Sequence, residues 1–140
     1  MFDHSAPKVN LMNEAEKTTY QAPRSMAELL QRYQNGERYF GESDLDQEVL
    51  NFQGLSLEGI IFAPHSFLFA DFRNANLQEA DFSDCNIKTC DFRGANLENA
   101  RFRNAALEAT EFSGANLKNT DFTGASCYNK IFASDERPDW

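Results

Sequence analysis

Residues 70–129 read ADFRN ANLQE ADFSD CNIKT CDFRG ANLEN ARFRN AALEA TEFSG ANLKN TDFTG ASCYN, and the spacing inside this stretch decides the fold. A large apolar residue falls at every fifth position: Phe72, Leu77, Phe82, Ile87, Phe92, Leu97, Phe102, Leu107, Phe112, Leu117 and Phe122, with Cys127 continuing the phase. The phase extends back through Phe67, Phe62, Leu57 and Phe52 and forward to Phe132, so it occupies residues 50–132. Two places before each large residue from 70 to 125 stands Ala, Cys or Thr, and nothing larger. A period of five is neither the 3.6 of an amphipathic helix nor the 2.0 of a half-buried strand, so both local readings fail and a repeat architecture is the first to consider.

These units resemble the pentapeptide repeat family, whose unit is A(D/N)LXX. The likeness is close over residues 70–129 and loose over 50–69, and the preceding LLQRYQNGERYF is similar to the helical lead-in of short members, a form common in photosynthetic bacteria. The resemblance implies an all-β solenoid, a right-handed quadrilateral β-helix of about four coils in which four pentapeptides close one square coil. At the usual strand spacing of about 4.8 Å each residue then stacks on its counterpart four units away. Phe52, Phe72, Phe92, Phe112 and Phe132 are expected in one column, with Phe62, Phe82, Phe102 and Phe122 opposite. Leu57, Leu77, Leu97 and Leu117 form the third column, and Phe67, Ile87, Leu107 and Cys127 the fourth. The small positions also point inward, where a larger side chain would overpack. In the first coil Leu50, Leu55, Ile60 and His65 take those positions, and the apolar HSFLF (65–69) is expected to pack under an N-terminal helix.

The flanks divide by composition. Residues 1–24 mix charges with Pro7 and Pro23 and have no sustained period, as in a flexible arm. Residues 25–49 form a capping helix and lead-in. Ser25 and Glu28 make a capping box, Met26, Leu29, Leu30 and Tyr33 fall on one stripe, and Gly36 supplies a left-handed stop. Such a helix would cover the open end of the repeat. Phe40 and Leu45 are five apart but Leu45 and Phe52 are seven apart, which places two extra residues within 46–50. Lys130 falls on a small-residue position and should end the repeat. Phe132 is expected to close the last turn, and 133–140 is a polar tail whose Trp140 reads as a loosely docked lid.

The chain carries a net charge of −9, which argues against direct nucleic-acid binding. It has no apolar run of about 18 residues for a membrane span and no signal-type segment near its start, so the expected location is cytoplasmic. Its three cysteines are read as reduced thiols. Cys85 and Cys90 lie on adjacent faces without the spacing of a redox or metal pair, and His65 has no companion ligands. Outward columns of Asn51, Asp71, Asp91 and Glu111 beside Arg73 and Arg93, of Asp81, Arg101 and Asp121, and of Asn76, Asn96 and Asn116 follow the family's Asp/Asn requirement rather than acid, base or calcium chemistry. There is no catalytic set, cofactor motif or metal motif, and the expectation is a protein that is not an enzyme.

Two functions from different classes remain. One is a protein-interaction or structural module that docks on a protein partner or larger assembly, with Met26, Leu29, Leu30, Tyr33 and Trp140 as candidate partner-binding residues. The alternative comes from family members that protect gyrase from quinolones by mimicking DNA. Residues 50–134 hold ten acidic and seven basic groups, a net −3, whereas duplex DNA over about 20 Å carries about 12 negative charges. The rod is a poor mimic, and it lacks the longer coils and dimer-forming C-terminal module of those relatives. Partner identity and oligomeric state are not fixed by the sequence.

Overall fold

The computed structural model describes residues 20–41, 45 and 50–140. The expected flexible arm over residues 1–19, and the exact place of the extra residues within 46–49, lie outside the described residues. The last residues of the expected arm are docked: Pro23 is buried, the Tyr20 ring meets Tyr39 edge-on at 5.3 Å, and the Arg32 guanidinium donates to the Gln21 carbonyl.

Each pentapeptide makes one side of a square because it alternates one extended residue with a tight turn. The extended residues pair in parallel between coils, giving four faces: Asn51–Asp71–Asp91–Glu111, Ser56–Asn76–Asn96–Asn116, Ile61–Asp81–Arg101–Asp121 and Ser66–Asn86–Ala106–Ser126. At the regular corners the carbonyl of the large residue accepts from the N–H three places on, as in Ala75 to Phe72 at 3.1 Å. The residue before that donor takes a positive φ, +59° at Asn74 and +71° at Gly94, a conformation that favours Gly and Asn. Gly94 is further constrained from below, since a Cβ there would lie 2.3 Å from the Asn74 Oδ1. The Asp/Asn position has its own cause: Oδ1 accepts the backbone N–H two residues on, at 3.0 Å for Asp71 to Arg73 and 2.9 Å for Asp81 to Ser83, which is an Asx turn.

Two phenylalanine columns fill the interior. Phe52, Phe72, Phe92 and Phe112 stack nearly parallel with centroids 4.7, 4.8 and 5.3 Å apart, and Phe82, Phe102 and Phe122 do so at 5.0 and 5.1 Å. The two columns meet edge to face, for example Phe82 with Phe92 at 5.3 Å. Polar small residues bond to the coil below: the Cys90 thiol donates to the Phe67 carbonyl, and the Thr110 and Thr120 hydroxyls donate to Ile87 and Leu97.

Both ends are closed by non-repeat structure. Helix α1 (Met26–Gln34) starts at Ser25, whose side chain accepts from the Glu28 N–H. The Glu28 carboxylate reaches the Arg24 N–H rather than that of Ser25. The helix stops at a Schellman motif, with Gly36 and Glu37 donating back to Tyr33 and Arg32. Tyr39 pairs with Ile61, an interval of 22 residues where the later coils use 20; that difference is the two-residue phase break.

At the other end β1 (Ser126–Cys127) turns through Tyr128 and Asn129 into β2 (Lys130–Ile131), which pairs with it antiparallel. The chain therefore reverses before Phe132. Instead of stacking on Phe112, the Phe132 ring tilts over Phe122 at 6.3 Å and exchanges backbone bonds with Gly124 and Ala125. This cap covers the phenylalanine columns and leaves Leu117 and Ala115 partly exposed, unlike Leu97 and Ala95 directly below them.

Candidate functional site

The core residues Phe72, Leu77, Phe82, Ile87, Phe92, Leu97, Phe102, Leu107, Phe112 and Phe122 are buried, whereas Leu117 is half-buried under the open part of the cap. Of the candidate partner-binding residues, Leu29 lies wholly inside the rod's own core, and Met26, Leu30 and Tyr33 pack against it. The Tyr33 hydroxyl donates to the Glu58 carbonyl at 2.8 Å, and the Arg38 guanidinium covers its ring at 3.9 Å. Leu29 thus has no surface left to offer a partner, whereas Met26, Leu30 and Tyr33 are half-buried. Trp140 is 39% exposed, its indole N–H donating to the Thr110 carbonyl at 2.5 Å.

The polar columns are neutralised within the chain. Arg73 grips Asp71 through Nε at 3.0 Å and Nη2 at 2.8 Å, and Arg93 grips Asp91 in the same way. Those guanidinium hydrogen bonds hold both carboxyl groups below the usual range, so they stay ionised and are poorly suited to proton transfer near neutrality. On the third face Arg101 lies 3.4 Å from Asp81 and Arg103 3.4 Å from Asp121. On the second, the Asn116 amide donates to Asn96 at 3.1 Å. Cys85 and Cys90 are free and buried; burial pushes the Cys90 thiol up to about 12 and the Cys85 thiol higher still, so neither supplies a thiolate. Among the described residues no group of three or more His, Cys, Asp or Glu side chains could hold a metal ion.

One surface is not accounted for by the coil. The corner after the fourth face carries Leu68, Lys88 and Glu108 in successive coils and, beside them, Phe69, Thr89 and Ala109, with the Tyr128–Asn129 turn of the terminal hairpin at its end. HSFLF does not pack as a unit under the helix. Phe67 is buried, but Leu68 and Phe69 are 54% and 76% exposed, because the fourth and fifth positions of a unit lie outside the coil. At the far end Tyr128 is 72% exposed, and with Trp140 and Ala109 it lines an open groove of about 560 Å³. Four of the five exposed large apolar side chains among the described residues thus lie along this corner, Ile131 being the fifth. Phe69 is the sharpest case, an exposed phenylalanine at φ +63° where other units place Gly, Asn, Asp, Glu, Thr or Ala. Its fifth-position place was the available signal, since no interior requirement calls for an aromatic there.

A family model described as a pentapeptide repeat region matches residues 55–130. Among solved structures, the chain is 26% identical to alr5209, a pentapeptide repeat protein of Nostoc, covering 84% of this chain and 93% of that one with a TM-score of 0.49. HetL, a Nostoc pentapeptide repeat protein involved in heterocyst differentiation regulation, is also 26% identical, over 59% of this chain and 42% of its own, with a TM-score of 0.37. A thylakoid-lumen pentapeptide repeat protein of Arabidopsis thaliana is 28% identical over 54% of this chain and 63% of its own, with a TM-score of 0.32. No curated protein matches the chain.

Proposed function

This chain belongs to the pentapeptide repeat family, the right-handed quadrilateral β-helices, and from that premise we propose that it is a non-catalytic interaction module. The rod docks on a protein through the corner that carries Leu68, Phe69, Tyr128 and Trp140, and it acts in the cytoplasm. The observation that carries this reading is Phe69. The positive φ belongs to the coil, which imposes it on Thr89 and Ala109 at the same corner, but a 76% exposed aromatic ring gains nothing inside the isolated rod, so burial against a partner accounts for it. Of the first-face carboxylates, which a phosphate mimic would present, Asp71 and Asp91 are each gripped by an arginine, which weighs against DNA mimicry.

Affinity capture with the full chain, compared with Phe69→Asp of the same melting temperature, tests the reading. The expected result is a defined protein held by the wild type and lost from the variant. A partner held equally by both, or none held by the wild type, refutes it.

A further inference from the structure

We propose that the occupant of this corner is a second copy of the chain, lying antiparallel alongside the first as a two-fold dimer. This rests on the reading of the corner as a docking surface and adds the identity of the partner. The fourth positions of this corner run Leu68, Lys88 and Glu108 in successive coils, and Tyr128 follows at the hairpin turn two residues after Ser126, which pairs with Ala106. A two-fold axis perpendicular to the rod, midway between the second and third coils, maps this order onto its reverse. Leu68 then faces Tyr128 of the other copy, and Lys88 faces Glu108, twice over. The apolar pairs sit at both ends of a strip about 14 Å long at the usual coil spacing, with two opposite-charge contacts between them.

Neighbouring columns accept the same operation. Thr89 falls on Ala109 and Phe69 on the Asn129 turn, and on the fourth face Ser66 falls on Ser126 and Asn86 on Ala106, with no like charges opposed. The other faces do not combine these properties. On the first face the axis sets Asp71 against Asp91, and the second and third faces carry no exposed large apolar side chain. Within one chain the Lys88 Nζ stands 3.9 Å from the Glu108 Oε2, beyond hydrogen-bond distance, so the pair on each copy is loose.

The test is sedimentation velocity on the full chain from about 1 to about 300 µM, the range suited to an interface of this small size. A reversible dimer is expected, lost in Phe69→Asp and in Tyr128→Asp. Lys88→Glu and Glu108→Lys alone should each weaken it about tenfold or more through like-charge contact, and the double exchange should restore it. Circular dichroism and melting temperature establish that each variant is folded. As a geometric check, a mixture of Thr89→Cys and Ala109→Cys chains should join through a short thiol cross-linker more readily than either chain alone. A chain that stays monomeric throughout, or a dimer indifferent to these substitutions, overturns the proposal. Either result leaves docking on a different protein to be judged separately by the Phe69→Asp capture comparison.

Discussion

Replacing Phe92 by alanine should be among the most damaging single changes in the rod, and the structure says why. Its ring is fully buried, stacked on Phe72 at 4.8 Å and Phe112 at 5.3 Å, and edge-on to Phe82 and Phe102 at 5.3 and 5.5 Å. Buried Phe→Ala changes cost about 3–5 kcal/mol, with the spread set by how far the site can collapse. Here it cannot collapse, because backbone bonds hold coil to coil on both sides: Asp91 donates to Ala70 at 3.0 Å and Phe92 to Glu111 at 2.8 Å. The expected loss is therefore at the upper end, about 5 kcal/mol, a third or more of the ~5–15 kcal/mol typical of a whole domain. Phe132→Ala is the internal comparison. That ring makes tilted contacts with Phe122 at 6.3 Å and Trp140 at 6.1 Å, with the Lys130 ammonium 5.3 Å over its face and no coil above it, so about 3 kcal/mol or less is expected. Urea unfolding followed by circular dichroism gives both values, with a fall in the urea slope marking separation of the rod at the cavity. A Phe92→Ala cost below about 2 kcal/mol, or no larger than that of Phe132→Ala, would refute the pinned-column argument.

Two further outcomes follow from the coil geometry. Ala100 is fully buried, so Ala100→Leu should cost on the order of 1–3 kcal/mol or more by overpacking, whereas Ala106→Leu on the outer face should stay within about 0.5 kcal/mol; equal melting temperatures would contradict the inward assignment. Arg73 and Arg93 hold the Asp71 and Asp91 carboxyl groups below the ordinary range, so the folded state binds protons less readily than the unfolded chain. That stability is present above the unfolded carboxylate range near pH 4 and is lost as pH falls through the lower folded values. Melting temperature should accordingly decline on acidification below about pH 5, less steeply in an Arg73→Gln, Arg93→Gln double variant, and identical slopes would dismiss these pairs as a source of acid sensitivity.

The interior was legible because a strict period of five admits very few solutions. Phe72, Phe92 and Phe112 fall in one column once four units make a coil, and the Asp/Asn rows follow from the turn each side chain closes. The ends were not legible by counting. Residues 128–131 occupy nearly the length of one more unit, so Phe132 keeps the phase, yet Tyr128 and Asn129 reverse the chain and bring Phe132 over Phe122. The helix stripe was visible as a face needing cover, but amphipathicity does not say what supplies it, and here the rod itself buries Leu29. The HSFLF segment shows the limit most sharply: its composition suggests filling, while the position of each residue within the unit sends Phe67 inward and Leu68 and Phe69 outward.

That positional logic also locates where a rod of this kind can carry information. In a regular unit the first residue is limited by the interior, the second, where it is Asp or Asn, by the Asx turn, the third by its column and the fifth by a positive φ. Only the fourth is unconstrained, so the fourth positions, read face by face, are the surface available for recognition. The first-face corner reads Gln53, Arg73, Arg93, Ser113, the second Glu58, Gln78, Glu98, Lys118, and the third Ala63, Ser83, Arg103, Thr123. The first places Arg73 on Arg93 under the two-fold, and the third has no apolar ends. The second can pair Glu58 with Lys118, but it too has no apolar anchor. Only Leu68, Lys88, Glu108, Tyr128 combines apolar ends with a central pair of opposite sign. On that same corner the chain also places an exposed aromatic in the fifth position. Two departures from the needs of the coil, independent in their physics and coincident in place, are what a surface shaped by a partner should show.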